Sequence, residues 1–365
     1  MKNTFGSAIT VTLFGESHGD TIGAVVDGLA PGIKINHEYI KNCLDLRRPY
    51  GKISTSRKEA DEYAIVSGEY NGYTTGTPLT LLIKNTTQRS CDYSPLRDTP
   101  RPSHADYTAE CKYHGFQDTR GGGHFSGRIT APLVAVGALI AAALSDKGIE
   151  IGTHISYLGG IHDKPIEKGD IPTLKTKLFP FIDIDKEADI IKKIEDAASC
   201  GDSIGGVLET MIFGVPCGVG EPFFDSIESV ISHLIFSIPG IKGIEFGAGF
   251  GFADMLGSQA NDPIAIVDGE VKTLSNNNGG INGGISNGMP IVFRSAIKPT
   301  PSIFKEQKTV SLSRGENTTL AISGRHDPAI IHRVRAVVDA VSAIAIADLL
   351  TVRYGTDYLA PNTKI

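Results

Sequence analysis

Three short stretches of this chain set histidine among glycine, serine and acidic residues: Gly15-Glu16-Ser17-His18-Gly19-Asp20, Arg101-Pro102-Ser103-His104-Ala105-Asp106 and Gly324-Arg325-His326-Asp327-Pro328. Imidazole titrates near neutral pH, and a neighbouring carboxylate can hold a proton, so these stretches suit general acid–base work. His18 follows a run in which Ile9, Val11 and Leu13 alternate with Thr10 and Thr12, the period of a half-buried strand. It therefore stands at a strand end, where a ligand is readily met. The alternative is a structural turn in which Ser17 or Asp20 bonds local amides. Ser103 and Asp106 have capping-box spacing, so His104 could equally occupy the first turn of a helix. A helix start is also an anion site, and Arg101 beside it adds charge.

Anion chemistry recurs elsewhere. Arg120-Gly121-Gly122-Gly123 runs into His124, Phe125, Ser126, Gly127 and Arg128. Three glycines bare the backbone amides to a phosphate or a ring edge, and guanidinium groups bind phosphate or carboxylate bidentately. A tight turn with solvated arginines is the plainer reading. Arg47, Arg48, Lys52 and Arg57 cluster near the end of one amphipathic pattern, and Lys298-Pro299-Thr300-Pro301-Ser302 offers a lysine and two hydroxyls in a stiff loop. No G-x-G-x-x-G or Walker A sequence occurs, the histidines lack zinc-motif spacing, and no G-x-S-x-G nucleophile elbow is expected. Two or three histidines, an acid, several cations and glycine loops suit a doubly anionic substrate and a phosphorylated cofactor.

Composition narrows the partners. The formal charge is −6, aromatic residues make up 7%, and there is no Trp, which argues against a nucleic-acid surface or a base-stacking platform. Glycine numbers 42 in 365 residues, well above the usual ~7%, and it clusters in loops. The five cysteines form no C-x-x-C pair, as expected of reduced thiols in the cytoplasm. The most apolar run, Ile129 to Leu144, holds Pro132 and falls short of the ~20 residues that span a bilayer. A buried core helix is expected there, with no membrane contact.

These residues need a frame. Gly19 to Asp27 matches Gly201 to Glu209 position by position, and Gly28 to Ile33 matches Gly214 to Val219 after a short insertion. An amphipathic helix follows each copy, one capped at Asn36 and one starting near Asp225. Two further helix patterns, Ile129 to Leu144 and about Val334 to Leu350, are apolar nearly all round and must be covered on several sides. Strands at Ile9 to Phe14 and Leu79 to Ile83, with a hairpin of Val310 to Ser313 and Thr318 to Ile322, are the natural cover. The expected fold is α+β, with helices inside and sheets outside, in one domain of two similar halves (about 1–150 and 190–350). A Pro-, Lys- and Asp-rich surface excursion at about 161–185 lies between the halves. The Asn- and Gly-rich stretch from Leu274 to Pro290 is expected to be a loop, mobile without a ligand.

Taken together, Gly15 to Gly19, Arg101 to Asp106, Arg120 to Gly123, Gly201 to Gly205, Lys298 to Thr300 and Gly324 to Pro328 resemble, in order and spacing, the motifs of the chorismate synthase family, over about residues 5–350. The resemblance implies a β-α-α-β sandwich and a homotetramer. It also implies a lyase that uses reduced FMN to eliminate phosphate from 5-enolpyruvylshikimate 3-phosphate, giving chorismate for aromatic amino-acid biosynthesis with no net redox change. By the same likeness His18, His104 and Asp327 would be catalytic, and Arg47, Arg101, Arg128 and Arg333 would clamp the phosphorylated substrate. Flavin contacts would fall to His124, Phe125, Ser126, Pro239, Gly240, Gly283, Lys298, Pro299, Thr300, Pro301, Ser302 and Arg325. Arg47 and Lys52 match positions linked to NADPH, a possible reductant. His124 stands where the family usually has arginine, Ala329 where it often has cysteine, and Lys52 replaces an arginine. A flavin oxidoreductase consuming NADPH stoichiometrically and a non-catalytic anion-binding module are the alternative readings.

Overall fold

The computed structural model describes residues 2–49, 51–54, 61–86, 98–322 and 326–361; the side chain of Lys52 also lies outside the described residues. Two five-stranded antiparallel sheets frame the chain. The first is built from β1 (Thr4–Phe5), β2 (Thr10–Phe14), β3 (Thr21–Asp27), β4 (Tyr63–Ser67) and β5 (Leu79–Lys84), in the order β1-β2-β3-β5-β4. The second comprises β6 (Glu150–Leu158), β7 (Ile161–His162), β8 (Gly206–Phe213), β9 (Ile241–Phe246) and β10 (Ile291–Ile297), in the order β9-β10-β8-β6-β7.

The main helices are α1 (His37–Asp45), α2 (Asp106–Tyr113), α3 (Thr130–Asp146), α4 (Ile184–Ser199), α5 (Ile227–Ile235) and α6 (Ile331–Tyr354). Helix α3 packs on β3, β5 and α1, and α6 packs on β6, β8 and α5; α3 and α6 pack on each other. Their all-round apolarity is satisfied in this way, as nearly every residue from Thr130 to Leu144 is buried. The two helices come closest where Gly137 meets Ala340: a Cβ on Gly137 would lie 2.4 Å from that of Ala340. With the turn before it, α3 extends over Gly127–Asp146, 20 residues of mean hydropathy 1.8. That is longer than the 16-residue run suggested and enough by length to cross a bilayer, yet 78% of it is buried within the protein.

Asn36 caps α1 by accepting from the Tyr39 amide, and Ser226, one residue beyond the expected Asp225, caps α5 by accepting from Ser229. The expected hairpin occurs as Gln307–Ser311 with Glu316–Leu320, but it forms its own two-stranded sheet and is not part of the cover of the buried helices. Residues 161–185 run against the second sheet and bury Phe179 and Phe181. They are tied there by Asp163, which accepts from the amides of Ile182 and Asp183 and bonds His154 Nδ1 at 2.7 Å. The Asn276–Gly280 stretch is not loose in this structure: Asp262 accepts from the Asn277 and Asn278 amides, and Asn276 Nδ2 donates to Pro290 O.

The chain closes on its own start. Asp348, buried in α6, accepts the amides of Ser7, Ala8 and Ile9 at 2.7–3.2 Å, just before β2 begins.

Candidate active site

The turn between β2 and β3 carries His18, which is 3% exposed. Its Nδ1 lies 3.1 Å from Ser17 Oγ, and the glycine loop covers it: a Cβ on Gly121 would fall 2.0 Å from the ring. Gly121, Gly122 and Gly123 all have positive φ, so the loop needs glycine for its path as well as for the room it gives the imidazole. The Ser17 amide donates to Gly123 O, and His124 Nδ1 is 2.7 Å from Gly15 O. The His18 turn and the 120–128 loop are therefore one unit. His124 is spent on this joint.

A chain of ionic hydrogen bonds leads away from it. Asn85 Nδ2 donates to Glu16 O and Gly19 O, and Asn85 Oδ1 accepts from Arg128 Nε at 2.9 Å. Arg128 also donates to Asp61, whose other oxygen takes Arg47 at 2.8 Å. Arg47 reaches Gly127 O and Thr130 Oγ1 as well. Arg333 Nε donates to Arg47 O at 2.6 Å, and its NH1 to Asp327 Oδ2 at 2.7 Å. Asp61 thus holds two guanidinium groups that sequence reading left to a ligand. It is 7% exposed and lies at φ 49°, a conformation that asparagine and aspartate tolerate best.

The second stretch, with His326 and Asp327 of the third, adjoins a neighbouring cleft. The expected capping box is absent: α2 begins at Asp106 with no side-chain cap, Ser103 takes φ 60°, and Asp106 instead grips Arg101 through its amide, Nε and NH2. That leaves His104 ahead of the helix, with Nε2 2.8 Å from Ser302 Oγ. Lys298 Nζ donates to Ser103 O at 2.7 Å. Ser302, His326, Asp327, Ser54 and Phe304 line a cleft. Burial, with Arg101 second, pushes the His104 pKa down to about 4, and the same two causes lower His326. Burial and Lys242 lower Lys298. Both imidazoles of the cleft are thus neutral at pH 7, which corrects the expectation that His104 titrates near neutrality. Among the described residues His326 Nε2 and Thr300 Oγ1 are buried with no hydrogen-bond partner. Buried polar atoms of that kind are rare and costly unless something else meets them.

His18, Arg47, Arg128, Arg333 and Asp327 are therefore joined in one network, and Asp327 with His326 connects it to His104, Arg101, Lys298 and Ser302. Arg47, Arg101, Arg128 and Arg333 face the carboxylates of Asp61, Asp106 and Asp327, and Lys298 stands beside them. Gly240 O accepts from the Lys298 amide, so Pro239 and Gly240 adjoin the 298–302 loop. Gly283 does not join through its hydrogen bonds: its hairpin is fastened to Val219 and to the Ile227 amide. Phe125 is 41% exposed. Arg325 and Arg57 lie outside the described residues. Two stretches do carry G-x-S-x-G spacing, at Ser17 and Ser203, but each leads from a turn into a strand, so neither is an elbow. Among the described residues no group of three His, Cys, Asp or Glu side chains could hold a metal ion.

With that geometry in view, a family model described as chorismate synthase matches residues 9–351. The chorismate synthase of Thermococcus gammatolerans is 43% identical over 345 residues, covering 94% of this chain and 96% of that protein. The chorismate synthase of Lachnoclostridium phytofermentans is 46% identical over 351 residues, with 95% of each covered. A crystal structure of chorismate synthase superimposes with a TM-score of 0.75 at 27% identity, over 97% of this chain and 95% of that one.

Proposed function

This chain belongs to the chorismate synthase family, and from that premise we propose that it eliminates phosphate from 5-enolpyruvylshikimate 3-phosphate to form chorismate, with reduced FMN bound. It is on this reading a lyase of the shikimate pathway. The observation that carries the assignment is the unbroken chain from Asn85 through Arg128, Asp61, Arg47 and Arg333 to Asp327, with His18 at one end and the His104 cleft at the other.

The residues present fit a flavin. The orphaned His326 Nε2 and Thr300 Oγ1 lie in or beside the segment expected to contact it, next to Ser302 and Phe304. Phe125, Ser126, Pro239, Gly240, Lys298, Pro299, Thr300, Pro301 and Ser302 would hold it, whereas Gly283 and His124 are engaged elsewhere. When bound, reduced FMN supplies electron density that assists departure of an allylic phosphate and is then recovered. The protein does the rest by position and charge. Arg101, Arg128 and Arg333, each pre-oriented by a carboxylate, present donors to phosphate and carboxylate oxygens. An anionic substrate beside His104 offsets Arg101 and Lys298, so it draws a proton back onto the imidazole and makes it a donor to the leaving phosphate. Asp327, fixed through Oδ2 by Arg333, can hold the proton taken from carbon. His18, locked under Gly121, can pass a proton near the same end of the network.

Arg47 is buried and its guanidinium serves Asp61, Gly127 and Thr130, which weighs against a contact with NADPH. We also propose a β-α-α-β sandwich of two related halves in a cytoplasmic homotetramer. Each matched segment, Gly19 to Asp27 and Gly201 to Glu209, feeds the middle strand of a five-stranded sheet. Phe250, Leu256, Ile264 and Ile266 are exposed together on the 250–266 segment, an apolar surface suited to subunit contact. The deciding experiment is anaerobic turnover with chemically reduced FMN, following phosphate. Release of phosphate with catalytic flavin is expected; no release, or one NADPH consumed per product, would overturn the assignment.

A further inference from the structure

His332 and Ser54 belong to none of the motifs above, yet they meet at the cleft. His332 is fully buried near the start of α6, and its Nε2 lies 2.7 Å from Ser54 Oγ. Ser54 follows the short turn Gly51–Ile53, which is anchored by buried Ile53 and packs on α4. It lines the cleft with Ser302, His326 and Asp327. The Phe179 ring stands 6.1 Å from that of His332, and Arg333 and Arg335 follow it in sequence. Burial, followed by those two arginines, pushes its pKa down to about 3, so the ring is neutral at any working pH.

A neutral imidazole has one N–H and one bare nitrogen. Among the described residues His332 Nδ1 is buried without a hydrogen-bond partner. A buried N–H with no acceptor costs more than an unfilled lone pair. The proton therefore belongs on Nε2, where Ser54 Oγ accepts it. The Ser54 hydroxyl then has its own O–H left to donate, and the open side is the cleft.

We propose that Ser54 is a ligand-binding residue of the cleft, which His332 holds as a hydrogen-bond donor to an anionic oxygen of the bound ligand. That oxygen belongs to the phosphorylated substrate or to the flavin phosphate. His332 touches neither and is a positioning residue. The proposal deepens the functional reading above and rests on it.

Two measurements test it. Nitrogen-15 shifts of His332 should show a neutral Nε2–H imidazole across pH 5–8, independent of any activity. Dissociation constants for inorganic phosphate and for FMN should be compared in wild type, Ser54→Ala, Ser54→Thr, His332→Phe and the Ser54→Ala/His332→Phe pair. Ser54→Ala should weaken one of the two ligands about 5- to 10-fold. Ser54→Thr should retain most of the affinity, and His332→Phe should weaken it less and add nothing in the Ser54→Ala background. Loss for phosphate alone assigns a substrate oxygen, and loss for FMN alone the flavin phosphate. An Nδ1–H or charged ring, unchanged constants in Ser54→Ala, or an additive double variant overturns the proposal. Wild-type protein that binds both ligands yet releases no phosphate from the substrate overturns the functional reading alone.

Discussion

Two regions of this molecule bury histidine beside charge, and they do it in opposite ways. On the second sheet, His154, Glu209, Arg294 and Glu245 lie in register across β6, β8, β10 and β9. His154 is bonded at both nitrogens, to Asp163 and Glu209, and Arg294 bridges Glu209 and Glu245. Burial alone would lower the His154 pKa, but its two carboxylate partners outweigh that and raise it. In the cleft, His104, His326 and His332 are all pushed down, and His326 and His332 each leave a nitrogen unmet. The first arrangement is complete and fastens residues 161–183 to the sheet. The second is incomplete without a ligand. What separates the two kinds of histidine here is which polar atoms remain unmet among the described residues.

The contrast can be broken most forcefully at the catalytic end. His104→Ala and His18→Ala should each lower kcat by roughly 10²–10⁴ with little loss of stability, read by turnover alongside urea unfolding. Wild-type rates in either variant remove that residue from the reaction. Gly121→Ala should act like loss of His18, because the new methyl occupies the place of the ring. Next in size, Asp61→Ala strands Arg47 and Arg128, both nearly buried, and should cost about 3–5 kcal/mol in unfolding free energy. A cost near zero would mean that the two arginines relax to solvent and that Asp61 is dispensable. In the completed region, Asp163→Asn should cost about 1–3 kcal/mol and leave kcat unchanged; a fall in kcat would link the His154 row to the chemistry.

The smallest effect is the most diagnostic. A histidine with a raised folded pKa stabilises below its unfolded value near 6.5, and that contribution is lost as pH climbs through the folded value. Histidines with lowered pKa do the reverse: theirs is present above about 6.5 and is lost as pH falls toward about 4 for His104 and about 3 for His332. Melting temperature against pH should therefore decline on both sides. His154→Gln should flatten the alkaline side, and His332→Phe the acid side. Reversed assignments would mean that the two regions had been confused.

The sequence made the frame legible where one signal dominates. The all-round apolarity of α3 and α6 announced buried helices, and the Asn36 cap announced α1. Glycines at 121–123 and histidines at 18, 104 and 326 pointed to the site, because such residues have few other reasons to cluster. What it hid were partners separated by many residues. Asp61 sits in a charged run with nothing local to mark it, and Asn85, Ser54 and His332 acquire meaning only across folded distances. Ser103 and Asp106 misled, since the nearby Arg101 guanidinium competes successfully for the carboxylate that a capping box needs.

The grip of Asp348 on the amides of residues 7–9 has a consequence for biosynthesis. The lead into β2 is held by a carboxylate some 340 residues further along the chain. The first sheet therefore gains this anchor only once α6 is in place. Chains stalled or trimmed before α6 is complete would keep that edge open to wrong pairing.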